Sequence, residues 1–344
     1  MSKRPRFESH GDEPESHRLS KESAQPKQHL YLVVDDWERG YSVHRVGEED
    51  FGSDVPGARP ATSPLVRIQA QHLHSWSFAA HGTKILAMQP PKHCPGIPVF
   101  DTRTLGVTAC PYPQSRGDLG SKPVTSGGPG PASSRRRSSV VSGYAAHPDE
   151  RTVFVSVRDW RPGIGKIYVH ASRRSTFTFD MERLEWSHAG EWLPPFKGRA
   201  HYDRELDAWV GLCLYSEGAG RVCCCDVPPA AGAGSETMTM PAWKLGQDVF
   251  FGAPAGPVGH LSATLVYMGG DSRFCMVVTR EADARIGGYK YSSRGRVVEM
   301  TCFVLKYDKE GDLCTTSRRA YASLTYEVAH EGIDGTQNPV AFWM

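Results

Sequence analysis

Residues 146–157 read AHPDERTVFVSV: a small residue, a His, a short turn, then a run of alternating β-branched and aromatic residues. The same order returns along the chain. Gln28-His29 precedes LYLVV, Ala80-His81 precedes KILAM, Ala200-His201 precedes AWVGL, and Gly259-His260 precedes ATLVYM; Ala329-His330 supplies a sixth copy. Several copies close on an aromatic-Asp pair (Phe100-Asp101, Phe179-Asp180, Tyr307-Asp308), with Cys225-Asp226 as a variant. Each run alternates with the period of two expected of strands, and no segment carries a helical period. An all-β unit repeated in this way points to a β-propeller.

Successive His-to-His distances are 52, 66, 54, 59 and 70 residues. A blade needs about 40–50 residues, so linkers and insertions account for the excess. A strand pair LYLVVDD…YSVHRV, joined at Trp37–Gly40, is echoed by FVSVRDW…KIYVHAS, joined at Pro162-Gly163; each places Asp-Trp at the end of its first strand. The fourth unit covers about residues 199–245 and the fifth about 258–321. The tail from SLTYEVAH onward reads as the opening of another unit that stops short. Merging the first and last partial units gives five blades and leaves no free sheet edge; keeping them separate gives six.

Residues 1–28 are polar and aperiodic and are expected to be a disordered arm. Lys3, Arg4 and Arg6 in that arm resemble a basic nuclear-import signal. Residues 29–344 form the repeat domain, with a Gly/Ser/Pro-rich disordered insertion at about 114–142. The N-terminus has no apolar h-region, so the chain does not read as secreted, and no apolar run is long enough for a membrane span. Placement in the cytoplasm, the nucleus or both follows.

The 344 residues carry 40 basic and 38 acidic side chains, a formal net charge of +2, which supplies no global field for nucleic acid or a membrane surface. Hydrophobic residues make up 39 %, enough for a core, and Gly 35 with Pro 25 suits many short strands joined by turns. The nine Cys are odd in number and irregularly spaced, which argues for reduced thiols rather than a disulfide framework.

The modules GIPVFDTRTLGV, STFTFDMERLEW and GRAHYDRELDAWVGL, with HLYLVVDDWERGYSVHRV, resemble an uncharacterised plant family expanded in grasses, domain of unknown function 1668, which is similar to kelch-type propellers. The resemblance covers roughly residues 29–344. It implies a kelch-like propeller and brings no activity, ligand or catalytic residue. Gly269-Gly270 and Asp180…Trp186 match the kelch pattern; the remaining units depart from it.

Each chemical candidate has a plain structural counterpart. Equivalent positions of successive blades lie on one face, so His29, His81, His147, His201, His260 and His330 could form a ring able to hold a metal or sense pH; a repeated residue more often does a repeated structural job, here capping a strand end against the neighbouring blade. Cys223-Cys224-Cys225 with Cys213 cannot converge on one zinc ion, because alternation sends Cys223 and Cys225 to one face and Cys224 to the other. No metal and no cofactor is expected. The chain has neither a G-x-S-x-G elbow nor the G-K-[ST] of a phosphate loop. Arg135-Arg136-Arg137 before Ser138 and Ser139 marks those serines as candidate phosphorylation sites. Arg285, Lys290, Arg294 and Arg296 interleave with Tyr289 and Tyr291 in a mix that can track phosphates and stack bases, but one such loop on a fold that is not strongly basic argues against nucleic-acid binding. Trp76, Trp186, Trp209 and Trp243 fall in strands where large rings wedge between blades.

The function this favours is non-catalytic recognition of a protein partner by loops at one face of a rigid ring. The residues that combine aromatic and Arg character are Trp37, Arg39 and Tyr41, Trp160 and Arg161, and Arg285, Tyr289, Tyr291 and Arg294. The alternative is a small-ligand binder or enzyme that uses an axial funnel, with the His set as its polar lining.

Overall fold

The computed structural model describes residues 27–51, 59–60, 63–69, 77–88, 96–110, 138–160, 174–230, 238–252, 260–282, 285–286, 289–290, 295–316, 320–329 and 340–344. Its regular structure among these residues is strand, apart from two 3-10 turns at Glu48–Asp50 and Ser216–Gly218. The strands form five four-stranded antiparallel meanders. Sheet II runs Ser77–His81, Lys84–Met88, Ile97–Asp101, Val107–Cys110; sheet III runs Ser138–Ala146, Thr152–Trp160, Arg174–Asp180, Glu185–Gly190. Sheet IV runs Phe196–Asp203, Ala208–Cys213, Val222–Asp226, Trp243–Leu245, and sheet V runs His260–Tyr267, Arg273–Glu281, Gly295–Tyr307, Ala320–Glu327.

Sheet I is assembled from both parts of the chain. Leu30–Trp37, Gly40–Val46 and Val66–Gln69 supply its second, third and fourth places, and Val340–Trp343 fills the first. The register Leu30↔Trp343 to Val33↔Val340 fixes this join, and His29 and Met344 exchange backbone hydrogen bonds of 2.8 and 3.1 Å. The first and last partial units therefore merge. The tail departs from expectation in one respect: SLTYE lies in the fourth strand of sheet V, and only Val340–Trp343 belongs to sheet I. The strand Ser138–Ala146 begins inside the range 114–142 expected to be an insertion, so residues 138–142 are corrected to sheet III; their alternating backbone bonds with Thr152–Trp160 hold them there.

Alternation along each strand builds the core between sheets rather than within one. Tyr31, Val33, Tyr41, Val43 and Ile68 of sheet I meet Ile85, Ala87 and Phe100 of sheet II. The opposite face of sheet I, with Leu30, Leu32 and Val34, packs on Cys275, Val277, Val298, Met300 and Leu324 of sheet V. Sheets V and IV share Leu265, Phe274, Met276 and Phe303 against Val210, Leu212 and Cys224. Sheets IV and III share Trp209, Cys223 and Cys225 against Ala145 and Phe154. Cys223 and Cys225 thus go to one interface and Cys224 to the other, as alternation requires.

The first strands of sheets III and IV come close enough to pair in parallel from Gly143↔Gly198 to Ala145↔Ala200. A Cβ at position 143 would lie 2.9 Å from the Phe196 carbonyl oxygen, so this approach needs the glycine. Trp209 fills the space behind it, fully buried, with its indole N–H donating to the Ala146 carbonyl at 2.9 Å across the interface. Trp243 is partly buried beside the same cluster, whereas Trp186 is 59 % exposed, which corrects its expected wedge position; Trp76 lies outside the described residues.

Candidate recognition face

Side-chain contacts fix how the sheets are oriented. The turn after the first strand of sheet IV and the corresponding turn of sheet V meet where Ser272 donates to Asp203 at 2.7 Å. On the same side, Arg273 of sheet V pairs with Glu48 of sheet I at 3.0 Å. At the opposite end, the Ala329 N–H donates to the Asp35 carbonyl at 3.0 Å, joining the end of sheet V's fourth strand to the end of sheet I's second. Tyr41 of sheet I lies edge-on to Phe78 of sheet II at 5.0 Å, each near the start of its strand. Sheets III and IV are aligned by their parallel first strands. All five sheets therefore send their second-to-third connections to the same face.

Trp37–Gly40, Trp160–Gly165 and Arg285–Arg296 are second-to-third connections of sheets I, III and V. The Trp37–Gly40 hairpin and the strand ends at Trp160 and Glu281, from which the other two connections leave, thus share one face. In the first, Trp37 pairs with Gly40 across a tight hairpin, and its partly exposed ring is flanked by two guanidiniums, Arg39 at 5.9 Å and Arg67 at 5.5 Å from its centroid. These contacts hold the indole in place while leaving part of it open. Tyr41 is a correction: it is 3 % exposed and belongs to the core between sheets I and II, because the pleat turns it inward with Val43.

In the second connection, Trp160 ends its strand opposite Ser138, and Ser139 stands opposite Asp159. The two candidate phosphorylation sites are in a paired strand at this face rather than in a loop. Arg161 lies outside the described residues. In the third, Arg285 pairs with Lys290 and Ile286 with Tyr289 in a small hairpin, while Tyr291 and Arg294 lie outside the described residues.

Beneath Trp37, Asp36 meets His44 at 3.2 Å. Burial pushes the Asp36 carboxyl up, but hydrogen bonds from His44 and Ser42 outweigh it and hold the group below the usual carboxylate range. His44 is 1 % exposed, so the pair is closed to a substrate and anchors the hairpin instead.

Among the described residues the His set does not gather into the ring weighed as the lesser reading. His81 ends the first strand of sheet II, His147 sits in the turn after the first strand of sheet III, and His260 opens its strand at the opposite end. His29 precedes the second-place strand of sheet I, and His330 lies outside the described residues. His201 is inside its strand, where a register shift between Lys197 and His201 displaces it. Its Nε2 lies 3.1 Å from the Leu265 carbonyl of sheet V, a contact between neighbouring sheets made from within the strand rather than at its end. Burial, with Arg199 nearby, pushes its pKa down to about 3, so the ring is neutral and donates that bond. Among the described residues no three His, Cys, Asp or Glu side chains gather in a way that could hold a metal ion, and no helix is long and apolar enough to cross a membrane.

Arg158 and Arg174, at this same face, were missed in the sequence. Thr176 opposes Ser156 and Arg174 opposes Arg158, on the side of sheet III that meets sheet IV. The available signal was an Arg at the inward-facing position of each of two neighbouring strands.

The chain matches the family described as "Protein of unknown function (DUF1668)" over residues 27–125 and 120–323. It belongs to that family. Curated proteins offer no match. Among solved structures, a chain of "Crystal structure of Nidogen/Laminin Complex" is 10% identical, with a TM-score of 0.29 over 88% of this chain and 99% of that one. "Kuenenia stuttgartiensis Hydrazine Synthase" is 11% identical, with a TM-score of 0.28 over 73% and 69%. A chain from "Structural and Mechanistic Analysis of Two Prolyl Endopeptidases" is 11% identical, with a TM-score of 0.25 over 88% and 50%. Likeness at this level bears on neither the function nor the details of the fold of this family member.

Proposed function

We propose that the chain is a non-catalytic recognition module of a plant cell: a five-bladed, kelch-like propeller that binds a protein partner through its second-to-third connections. The observation that carries this is that the Trp37–Gly40 hairpin, with Arg39 and Arg67 against Trp37, stands on the same face as the strand ends at Trp160 and Glu281 that lead toward Arg161 and Arg285. Aromatic and Arg side chains supply most hot spots of protein interfaces, and loops on a rigid scaffold are where such residues act. Five four-stranded meanders, packed face to face in the order II, I, V, IV, III, support the propeller reading. Its kelch-like character rests on Gly269-Gly270 and Asp180…Trp186.

The test places photo-crosslinking residues at Glu38 and Arg39 on this face, and at Glu150 and Glu205 in first-to-second turns on the other. A partner captured from the first pair of positions alone, and lost with Trp37→Ala plus Arg39→Glu, is the expected result. Equal capture from both faces removes the proposal. A fluorescent fusion with and without Lys3, Arg4 and Arg6 tests nuclear entry.

A second reading uses the axis. Tyr144, Lys197 and Arg199 stand exposed on first strands. An ammonium and a guanidinium beside a phenol there would suit a small anionic ligand of an axial funnel.

A further inference from the structure

Arg158 and Arg174 are directly opposed in antiparallel strands of sheet III. Like charges in that position repel each other, so the pair destabilises the empty protein. Both residues share the register of Phe154, Ser156 and Thr176, which look toward sheet IV, and both stand at the strand ends that meet the recognition face. Arg174 is exposed, whereas the Nε of Arg158 is shut off from solvent and has no hydrogen-bond partner. Among the described residues neither guanidinium has a carboxylate within ion-pair distance. The nearby Glu191 is occupied by Ser175 at 3.1 Å and His188 at 3.2 Å.

Tyr215, in the connection between the second and third strands of sheet IV, lies within reach of both guanidinium charges. Burial raises the pKa of its hydroxyl, and the pull of Arg174 and Arg158 in the other direction does not reverse this. The hydroxyl therefore keeps its proton and can donate it. Its ring is held against Trp243, with centroids 5.5 Å apart.

Two opposed positive charges and an unused buried N–H stand at one end of sheet III, with the Tyr215 phenol near enough to feel both. We infer that Arg158, Arg174 and Tyr215 form a receptor for a phosphate-type oxyanion in the cleft between sheets III and IV. A phosphate dianion matches two guanidiniums in charge and offers several acceptor oxygens, where a carboxylate offers one charge and two oxygens. The inference rests on the proposed recognition face and adds the chemistry of what is recognised there.

The experiment is calorimetric titration of the full chain with inorganic phosphate, a phosphoserine peptide and acetate, repeated with Arg158→Gln, Arg174→Gln and, as a control on the opposite face, Arg103→Gln. One saturable phosphate site is expected, with each cleft substitution weakening it about tenfold or more and Arg103→Gln leaving it unchanged. Tighter binding of the peptide assigns the site to a phosphorylated partner; equal binding assigns it to free phosphate. Without phosphate the cleft variants are expected to melt no lower than the parent protein, since the like-charge contact is relieved. Absence of saturable phosphate binding overturns the inference, as does binding indifferent to both cleft substitutions. If crosslinks from Glu38 and Arg39 persist while phosphate fails to bind, the oxyanion site falls and the recognition face stands; the reverse outcome keeps the site and removes the face.

Discussion

Trp209 shows what a single side chain does between two sheets. It is fully buried, lies edge-on to Phe154 at 5.0 Å and to Phe196 at 6.3 Å, and donates its indole N–H to Ala146. Trp209→Phe loses the hydrogen bond to the Ala146 carbonyl, at about 0.5–1.5 kcal/mol. Trp209→Ala adds a cavity and is expected to cost about 3–5 kcal/mol; denaturant unfolding of both variants separates the two contributions. His201 and Cys213 set the pH response of the same region. The folded pKa of His201 lies below its unfolded value of about 6.5, at about 3. The unfolded chain therefore takes up the proton first, and stability present above the unfolded value is lost as the pH falls toward the folded one. His201→Gln, which can still donate to Leu265, should flatten that acid limb. A hydrogen bond from Cys223 is the main reason the Cys213 thiol falls to about 7, while Cys223, deeply buried, keeps its proton. The thiolate absorbance difference between parent and Cys213→Ser should rise through about pH 7, and Cys223→Ala should move that midpoint up. Because the free thiol ionises near pH 8.5, stability from this group is complete above that value and lost as the pH falls through the folded one.

At the scale of the element, one turn recurs. Asp101, Asp180 and Asp203 each accept hydrogen bonds from the backbone N–H groups two and three residues on. The fourth residue, Leu105, Leu184 or Asp207, takes a left-handed conformation with φ of 58°, 58° and 47°. The carboxylate thus does the work a glycine would otherwise do, fixing a turn whose last residue is strained. Leu184 is exposed and gives up little packing, so Leu184→Gly is expected to be neutral or stabilising by up to about 1 kcal/mol, and Asp180→Ala destabilising by about 1–2 kcal/mol, both read in thermal melts. The aromatic-Asp pairs were legible in the sequence because the Asp closes a strand whose alternation can be counted. The His residues recur at intervals of 52 to 70 residues and occupy unlike places, and for His201 a register shift in its strand adds a displacement that spacing cannot show. Tyr41 was misplaced for a related reason: one residue after Gly40 the pleat already sends a side chain to the core. Arg158 and Arg174 became neighbours only through the pairing of two strands separated by a connection.

The whole molecule depends on a join between distant parts of the chain. Val340–Trp343 covers the edge of Leu30–Trp37 and brings Phe342 into the core between sheets I and II. Without it, sheet I presents a free, apolar edge, which is the kind that pairs with other chains. Deleting residues 340–344 is expected to lower stability by at least the about 3–5 kcal/mol of one lost core aromatic, and to produce dimers or larger species visible by light scattering. A circular permutant separates this role of the strand from the mere continuity of the chain. His29 and Met344 already exchange backbone hydrogen bonds, so a short glycine linker from Met344 to Lys27 should cost little. New ends can be opened between Cys110 and Ser138, leaving every described strand intact. If the C-terminal strand acts by filling the first place of sheet I, the permutant should melt at or above the parent temperature while the truncated chain melts well below it. A permutant as unstable as the truncation would mean that this strand holds the fold by some means other than closing that sheet.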